Sequence, residues 1–263
     1  MPACAAAPAL LRWSTLLDPP MDGARNMARD HALALGLRAG EAVLRIYRWA
    51  SPTVSFGRNE PTEAFGSLRT DSRRLAFVRR PTGGRAVLHH RELTYSVALP
   101  APAFGGPRGA YAALNRGLVR GLEALGVCGS LATGGLVEAL GAGPCFRRPA
   151  QGEVTVGGRK LVGSAQVRLG STLLQHGSLL IGPGQELLEH AASTPAAPAA
   201  GPTSLEQLLG SEPDWSQLVS AVTCGLAAEL GGDWSEPAAP AVDAALEAEL
   251  LARYASDGWT WRR

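Results

Sequence analysis

The sequence predicts an α/β protein of the α+β kind, in which helices flank a mixed or antiparallel sheet. The 263 residues are 46% hydrophobic, which is enough for one sizeable core or one core with a small appendage. Runs of strand-like segments with helices between them show no regular βαβ alternation. The 32 glycines and 19 prolines are spread among hydrophobic runs, which argues against a fibre or a disordered chain.

The first half of the chain predicts a helix, four strands and a second helix. Asp22 is a suitable N-cap for the first helix, and its apolar face consists of Ala24, Met27, Ala28, His31, Ala32 and Leu35. Strand-forming residues and partial alternation predict strands over 42–49, 54–56, 75–78 and 93–99. Apolar residues three or four apart predict the second helix over 111–125, which Gly126 ends.

The second half predicts a hairpin, a further strand and a group of helices. The segments 153–156 and 159–162 flank Gly157-Gly158, a two-residue turn. Another strand is expected over 172–181. We expect a main domain over 1–182, a linker rich in proline and alanine over 183–202, and a C-terminal helical extension over 203–263.

Composition argues against several functional classes. A formal net charge of +2 gives no basic field that would favour nucleic acid, and no run of about 18 apolar residues could span a membrane. The first eleven residues lack the basic region of a signal peptide, so we expect a frayed terminus before a strand. The four cysteines have neither a CxxC pair nor a histidine at ligand spacing. We therefore expect no metal site, and reduced thiols in a cytoplasmic protein.

The segment 79–85, RRPTGGR, is a candidate ligand-binding loop. Paired glycines let backbone N–H groups approach a ligand closely, and flanking arginines can hold an anion. The alternative is a glycine turn between two strands with solvated arginines, which composition alone favours. The dinucleotide-binding fingerprint and the phosphate-binding P-loop motif are both absent from the sequence.

Three further residues each allow a chemical and a structural interpretation. Lys160 lies in an apolar strand and either faces a pocket or points outward. Cys145 is either an exposed nucleophile or inert packing, and His176 is either a satisfied core histidine or a pocket donor. The local sequence favours the structural interpretation in each case. His89 and His90 would point to opposite faces of a strand, so they do not form a paired metal site.

Taken together, these segments resemble the lipoate-protein ligase and octanoyltransferase superfamily, whose members share a fold with biotin protein ligases. The resemblance covers about residues 10–182 and implies a biotin/lipoate protein ligase-like α/β (α+β) fold with a largely antiparallel sheet. The matching segments are 26–30 (NMARD), 44–49 (LRIYRW), Pro52, 55–59 (SFGRN), 79–89 (RRPTGGRAVLH), 92–96 (ELTYS), 158–166 (GRKLVGSAQ) and 175–180 (QHGSLL).

Within the superfamily, the chain looks most like the octanoyl-[carrier protein] transferases that use a cysteine in a CF-x-x-P-x-x-x-E context. The matching residues are Cys145, Phe146, Pro149 and Glu153. Two positions depart from the pattern, because Arg147 stands where an aspartate is expected and Gly152 where an aromatic residue is common. These departures affect the expected shape of the acyl-binding loop rather than the cysteine chemistry.

The resemblance implies specific roles for the candidate residues. Cys145 is the acyl-accepting nucleophile, and Lys160 is the catalytic cation beside it. The residues implied to bind the acyl group or substrate are Arg79, Gly83, Gly84, Arg85, Gly163, Ser164, Ala165 and His176. An apolar tunnel for the acyl chain would include Val87, Leu161 and Val162.

The implied reaction is a ping-pong acyl transfer that needs no cofactor. Octanoyl-acyl-carrier protein would donate to Cys145, and a lysine of a lipoyl domain, such as that of a glycine-cleavage H protein or a dehydrogenase E2, would accept. An ATP-dependent lipoate-protein ligase is the first alternative. It is disfavoured because Arg85 replaces the third glycine that ligases commonly show and only about 60 residues follow the linker. The second alternative is a non-catalytic protein that binds acyl groups or lipoyl domains.

Overall fold

The computed structural model describes residues 10–70, 75–134, 145–189, 201–235 and 242–262. The strands are β1 (Arg12–Leu17), β2 (Glu41–Tyr47), β3 (Thr53–Phe56), β4 (Ala76–Arg79), β5 (Val87–His89), β6 (Glu92–Pro100), β7 (Ser130–Leu131), β8 (Val154–Val156), β9 (Arg159–Lys160), β10 (Val162–Leu169) and β11 (Thr172–Leu180). The helices are α1 (Gly23–Leu35), α2 (Pro107–Ala124), α3 (Glu186–Glu189), α4 (Leu205–Leu209), α5 (Trp215–Leu230), α6 (Ala244–Ala255) and α7 (Asp257–Thr260). Short 3₁₀ helices cover Glu63–Thr70, Ala103–Gly105 and Cys145–Arg147. Among the helices of these ranges, none has the length and apolar character that a bilayer crossing needs.

The sheets confirm the predicted fold class. The largest has the order β1-β2-β6-β11-β10, in which β1 and β2 are parallel and the other neighbours antiparallel. A second sheet, β4-β3-β5, has one parallel and one antiparallel pair. The third, β7-β8-β9, is antiparallel. Mixed sheets with mostly antiparallel neighbours, covered by helices, are what the strand pattern predicted.

The first helix starts where predicted but buries a different set of side chains. The Arg25 N–H donates to the Asp22 carboxylate at 2.8 Å, which confirms the N-cap. Leu35 was expected on the apolar face but is 46% exposed. Asp30 is fully buried instead, because its carboxylate accepts from the Arg45 guanidinium of β2 at 2.7 Å. Met27, Ala28, His31 and Ala32 are buried as predicted. Apolar spacing does not reveal a buried ion pair, so the sequence missed Asp30.

The predicted hairpin forms between β8 and β9. Gly157 and Gly158 have φ of 57° and 75°, the left-handed values of a two-residue turn that favours glycine. The register pairs Thr155 with Lys160. The second strand of the hairpin is shorter than predicted, since β9 ends at Lys160 and β10 joins the large sheet. The short strands β5 and β7 were not predicted, because two or three residues give no measurable alternation.

The C-terminal helices contribute to the same apolar core as the strands. Leu218, Val222 and Leu226 of α5 lie in one cluster with Phe146 and Leu161. Helix α3 lies within the predicted linker, and α6 packs against α1. The predicted division at 183–202 stays a prediction, and residues 190–200 lie outside the described ranges.

Helices α2 and α5 cross at glycines because their backbones touch. A Cβ built on Gly225 would lie 2.3 Å from the Gly121 nitrogen and 2.5 Å from the Gly117 oxygen. These are backbone atoms, so no rotamer change can relieve the clash. Gly225→Ala should therefore destabilise the protein by about 1–3 kcal/mol, the usual cost of overpacking. Urea unfolding would measure this, and Gly258→Ala, where a Cβ meets nothing within 4 Å, should cost much less. Equal unfolding midpoints for the two variants would contradict this packing.

The buried His31 of α1 contacts Tyr254 of α6, and we expect this contact to weaken in acid. Burial, together with the charges of Arg253 and Arg58, lowers the pKa of His31 to about 4, and its Nδ1 lies 2.9 Å from the Tyr254 hydroxyl. The unfolded chain binds this proton near pH 6.5, so stability is present above that pH and is lost as pH falls toward 4. His31→Asn should show a smaller drop in urea midpoint between pH 7 and pH 5 than the native protein. His90→Asn, at an exposed position, is the control and should retain the native drop.

Candidate active site

A cavity is lined by residues of the large sheet, of β3 and β5, and of the loop after β4. It brings together six of the ten residues to which the resemblance assigned catalysis or substrate binding: Gly84, Cys145, Gly163, Ser164, Ala165 and His176. The remaining lining residues are Met27, Tyr47, Trp49, Ser55, Arg80, Val87, His89, Thr94, Gly177 and Ser178. Residues far apart in the chain therefore meet at one concave site, as expected for a small-molecule site.

Cys145 is held at the cavity by its backbone. It begins a 3₁₀ turn, is partly exposed, and its N–H donates to the Ala86 carbonyl at 2.9 Å. This hydrogen bond fixes the cysteine beside the glycine loop. Cys128 and Cys224 are exposed and do not line the cavity. The glycine-rich approach at 141–144 and Cys4 lie outside the described residues.

Lys160 is buried and points at Cys145, which rules out the outward-pointing alternative. Its Nζ donates to Glu153 Oε1 at 2.7 Å, to the Cys145 carbonyl at 3.1 Å and toward Cys145 Sγ at 3.4 Å. The ammonium has three donors, and all three are used. The side chain is 1% exposed, so a buried cation with a carboxylate partner lies in contact with the thiol.

Glu153 is the partner that sequence analysis quoted in a motif but gave no role. Its Oε1 accepts from Lys160, while Oε2 accepts from the Ala150 N–H at 2.8 Å. Both oxygens are therefore fixed, and the carboxylate determines where the ammonium lies. The hairpin turn at Gly157-Gly158 makes this possible, because it folds the chain back between Glu153 and Lys160.

Gly163 is required by close packing around this pair. A Cβ at this position would lie 2.9 Å from Phe146 Cζ and 3.1 Å from Lys160 Cε. The Lys160 Nζ also lies 4.9 Å from the centre of the Phe146 ring, within cation–π range. The glycine therefore lets the lysine stem and the aromatic ring lie directly on β10.

Arg80 is a buried cavity residue that the sequence did not single out from its neighbour. Its guanidinium donates to Gly83 O at 2.8 Å, to Arg85 O at 2.8 Å, and to Ser55 O and Oγ at 3.0 Å. Burial lowers the pKa of Arg80 from its ordinary value, and Cys145 partly offsets this. Arg80 thus fixes the shape of the glycine loop and places a second cation near the thiol.

Arg79 does not reach the cavity, contrary to the role the resemblance implied. It is 1% exposed, and its guanidinium donates to the carbonyls of Gly57, Glu60, Thr260 and Arg262 at 2.7–3.1 Å. Successive strand residues face opposite sides, so Arg79 and Arg80 diverge. With its donors used by backbone carbonyls, Arg79 joins the C-terminus to the turn at Gly57.

Five other selected residues also lie outside the cavity lining, and one of them is Lys160, which contacts the lining residue Cys145. The carbonyls of Gly83 and Arg85 accept from Arg80, so these residues build the loop rather than the wall. Leu161 and Val162 are buried in the core, and of the three expected tunnel residues only Val87 lines the cavity. The turn needs Gly84, whose φ is 90°.

His176 is both a hydrogen-bonded buried histidine and a cavity residue, the two roles that the sequence allowed. It lines the cavity, while its Nε2 lies 2.6 Å from Thr82 Oγ1 and its Nδ1 lies 3.2 Å from Asp30 Oδ2. Burial lowers the pKa of His176, although Asp30 opposes the shift. Burial would raise the pKa of Asp30, but Arg45 and His176 lower it to about 2. His176 is therefore a neutral hydrogen-bonding residue near pH 7, anchored on a buried ion pair.

His89 and His90 separate as predicted, because His89 lines the cavity and His90 is exposed. His89 stacks on Trp49 with ring centroids 3.9 Å apart, and its Nδ1 lies 2.7 Å from Glu92 Oε1. Among the described residues, no cluster of His, Cys, Asp and Glu side chains has the grouping that would hold a metal ion.

Comparison with known proteins places this site in a family. A family model described as the lipoyl protein ligase A/B catalytic domain matches residues 22–227. The chain is 35% identical to an octanoyltransferase LipM of Symbiobacterium thermophilum, covering 95% of this chain and 98% of that protein. It is 34% identical to an octanoyltransferase LipM of Kyrpidia tusciae, covering 95% and 99%.

Solved structures show the same fold at lower identity. A lipoate-protein ligase A bound with ATP superposes with a TM-score of 0.81 at 20% identity, covering 95% of this chain and 99% of that chain. A bipartite lipoate protein ligase of Thermoplasma acidophilum, studied with its E2 lipoyl domain, gives a TM-score of 0.74 at 18% identity, covering 95% and 96%. These likenesses support the expected ligase-like architecture of the chain.

The contact between Lys160 and Cys145 predicts an activated thiol. Lys160→Met should reduce the rate of Cys145 alkylation at neutral pH by roughly tenfold, equivalent to about 1.4 kcal/mol, because the thiolate loses its nearest cation. Alkylation followed by peptide mass mapping would separate Cys145 from the two exposed cysteines. Arg159→Met removes the neighbouring strand cation and should leave the rate unchanged. Equal rates in the Lys160 variant and the native protein, over the whole pH range, would contradict the activation.

Proposed function

Because the chain belongs to the lipoyl protein ligase A/B catalytic-domain family, we propose that it is a cysteine-dependent octanoyltransferase of protein lipoylation. The observation that carries the mechanism is the buried Lys160 ammonium 3.4 Å from Cys145 Sγ at the edge of a cavity. Similarity over almost the whole chain to octanoyltransferases supports the acyl-transfer activity.

In the first half-reaction, the Cys145 thiolate attacks the carbonyl carbon of octanoyl-acyl-carrier protein. A carbon–sulfur bond forms to Cys145, the bond to the carrier sulfur breaks, and the carrier thiolate takes up the proton that Cys145 lost. Lys160 stabilises the attacking thiolate and, with backbone N–H groups of the glycine loop, the oxyanion that develops on the carbonyl. Glu153 holds the Lys160 ammonium in position beside the sulfur.

In the second half-reaction, a lysine amine of a lipoyl domain attacks the octanoyl thioester. An amide bond forms, the Cys145 thiolate leaves, and the amine loses its proton to solvent or to a base at the site. Lipoylation implies a lipoyl-domain acceptor. Acyl-carrier protein as the donor, and a glycine-cleavage H protein or a dehydrogenase E2 as the acceptor, are the specific partners of the proposal.

The span of the cavity lining across the sheet supports an extended acyl chain as the ligand. Cys145 and Gly163 of β10 both line the cavity. Tyr47 of β2 lines it too, and the register places Tyr47 across β11 and β6 from Gly163 on the same face of the sheet. The three inter-strand spacings from β10 to β2 add up to about 14 Å. This distance is long enough for an extended chain of eight carbons. Met27 and Val87 add apolar wall, and each buried methylene contributes about 0.8 kcal/mol.

The ligase alternative is not favoured. The octanoyltransferase relatives match nearly the full chain at 34–35% identity, whereas the ligases share the fold at 20% identity or less. The non-catalytic alternative is disfavoured by the complete Cys145–Lys160–Glu153 arrangement, since a binding protein has no need for a buried ammonium aimed at a thiol.

Intact mass spectrometry with octanoyl-acyl-carrier protein and no ATP tests the proposal. The native protein should gain one octanoyl group on Cys145, and adding a lipoyl domain should remove it. Cys145→Ser should lower transfer by at least about a hundredfold, because a serine hydroxyl is scarcely ionised at neutral pH. Cys128→Ser and Cys224→Ser are controls and should transfer normally. Full transfer by Cys145→Ser, or acylation that requires ATP and free octanoate, would overturn the mechanism.

A further inference from the structure

Three arginines gather on one surface at the C-terminus. The Arg262 guanidinium lies 3.8 Å from the centre of the Trp259 ring, and that of Arg253 lies 4.9 Å from the same centre. The Arg262 Nη2 also donates to the Arg58 carbonyl at 2.7 Å. Arg58 and Arg253 are exposed, and Arg262 is half-buried. We call these three arginines the basic patch.

The basic patch adjoins the loop that borders the cavity. The Arg58 N–H donates to the Thr82 carbonyl at 2.8 Å. A Cβ on Gly57 would lie 1.8 Å from the Gly84 carbonyl oxygen, so the two backbones touch, and Gly84 lines the cavity. The backbone at Arg58 therefore contacts the loop that contains Gly84, a lining residue of the cavity.

The charge of the patch is not compensated within the described part of the chain. No carboxylate of those residues forms an ion pair with Arg58, Arg253 or Arg262. Burial lowers the pKa of Arg262, and repulsion from Arg58 and Arg253 adds to the effect. Trp259 holds Arg253 and Arg262 together, and Arg262 bonds to the Arg58 carbonyl. Three like charges in such a group favour an anionic partner.

Other surface arginines, unlike those of the basic patch, form ion pairs with carboxylates. Arg116 and Arg120 both pair with Glu229, at 2.6 and 2.8 Å, and Arg91 pairs with Glu206 at 2.9 Å. The formal net charge of the chain is only +2. Within the ranges that the structure describes, the positive charge of the basic patch is thus a local feature rather than a consequence of overall composition.

We propose that the basic patch is the docking surface for an acidic face of the acyl-donor protein, an inference that rests on the proposed function. A donor acyl group tethered to a protein must enter the cavity while the body of that protein stays outside. Exposed cations beside the glycine loop would attract and orient such a body. High salt would weaken this attraction and so slow the encounter.

The test compares two thioester donors in the first half-reaction. Formation of octanoyl-Cys145 is followed by mass with octanoyl-acyl-carrier protein and with octanoyl-pantetheine, which has no protein body. Arg58→Gln combined with Arg253→Gln should raise the half-saturating concentration of the protein donor about tenfold at low salt. High salt should shrink the difference, and the pantetheine reaction should be unchanged. Arg38→Gln combined with Arg168→Gln removes the same charge from exposed positions elsewhere and is the matched control.

Several results would overturn the proposal. Equal loss with both donors would place the arginines in catalysis, and no loss with the protein donor would exclude docking. A defect confined to transfer from pre-acylated enzyme to a lipoyl domain would assign the patch to the acceptor. An equal defect with octanoyl-phosphopantetheine would assign it to a phosphate. If the native protein is acylated by neither donor, the proposed function itself fails.

Discussion

The buried ion pair between Arg45 and Asp30 is the interaction on which the cavity depends. It joins α1 to β2, and His176 and Tyr47 both bond to the same carboxylate, at 3.2 and 2.9 Å. Removing one partner from such a pair leaves a buried charge and commonly costs about 3–5 kcal/mol. The cavity floor is therefore rigid because the charges beneath it cannot separate without losing their partners.

The same principle organises the reactive end of the cavity. Lys160 can be buried because Glu153 neutralises it, and Arg80 can be buried because carbonyls and a hydroxyl use its donors. The pairing with Glu153 also reduces the net charge that Lys160 presents to Cys145. Arg80, whose nearest partners are neutral groups, then contributes to the field at the thiol from another side of the cavity.

Close backbone contacts connect this site to the outer surface. Gly57 touches Gly84, while Arg79 holds the carbonyls of Gly57 and Arg262 together. The last residues of the chain are thereby joined to the glycine loop. A segment that the sequence predicted as part of a helical extension is thus connected, through Arg79 and Gly57, to the glycine loop of the cavity.

The sequence by itself determined the fold class and the hairpin at Gly157-Gly158, because period and turn chemistry are local. Its local patterns favoured structural roles for Cys145 and Lys160, and only the resemblance to a family made them catalytic candidates. Only the tertiary structure decided that Arg79 is structural and Arg80 faces the cavity, since the two differ by one position and by which side of the strand is covered. The role of Glu153 also needed the fold, because an ion pair depends on the distance between side chains after the turn closes. Burial and charge compensation are properties of the assembled molecule, and local sequence patterns do not contain them.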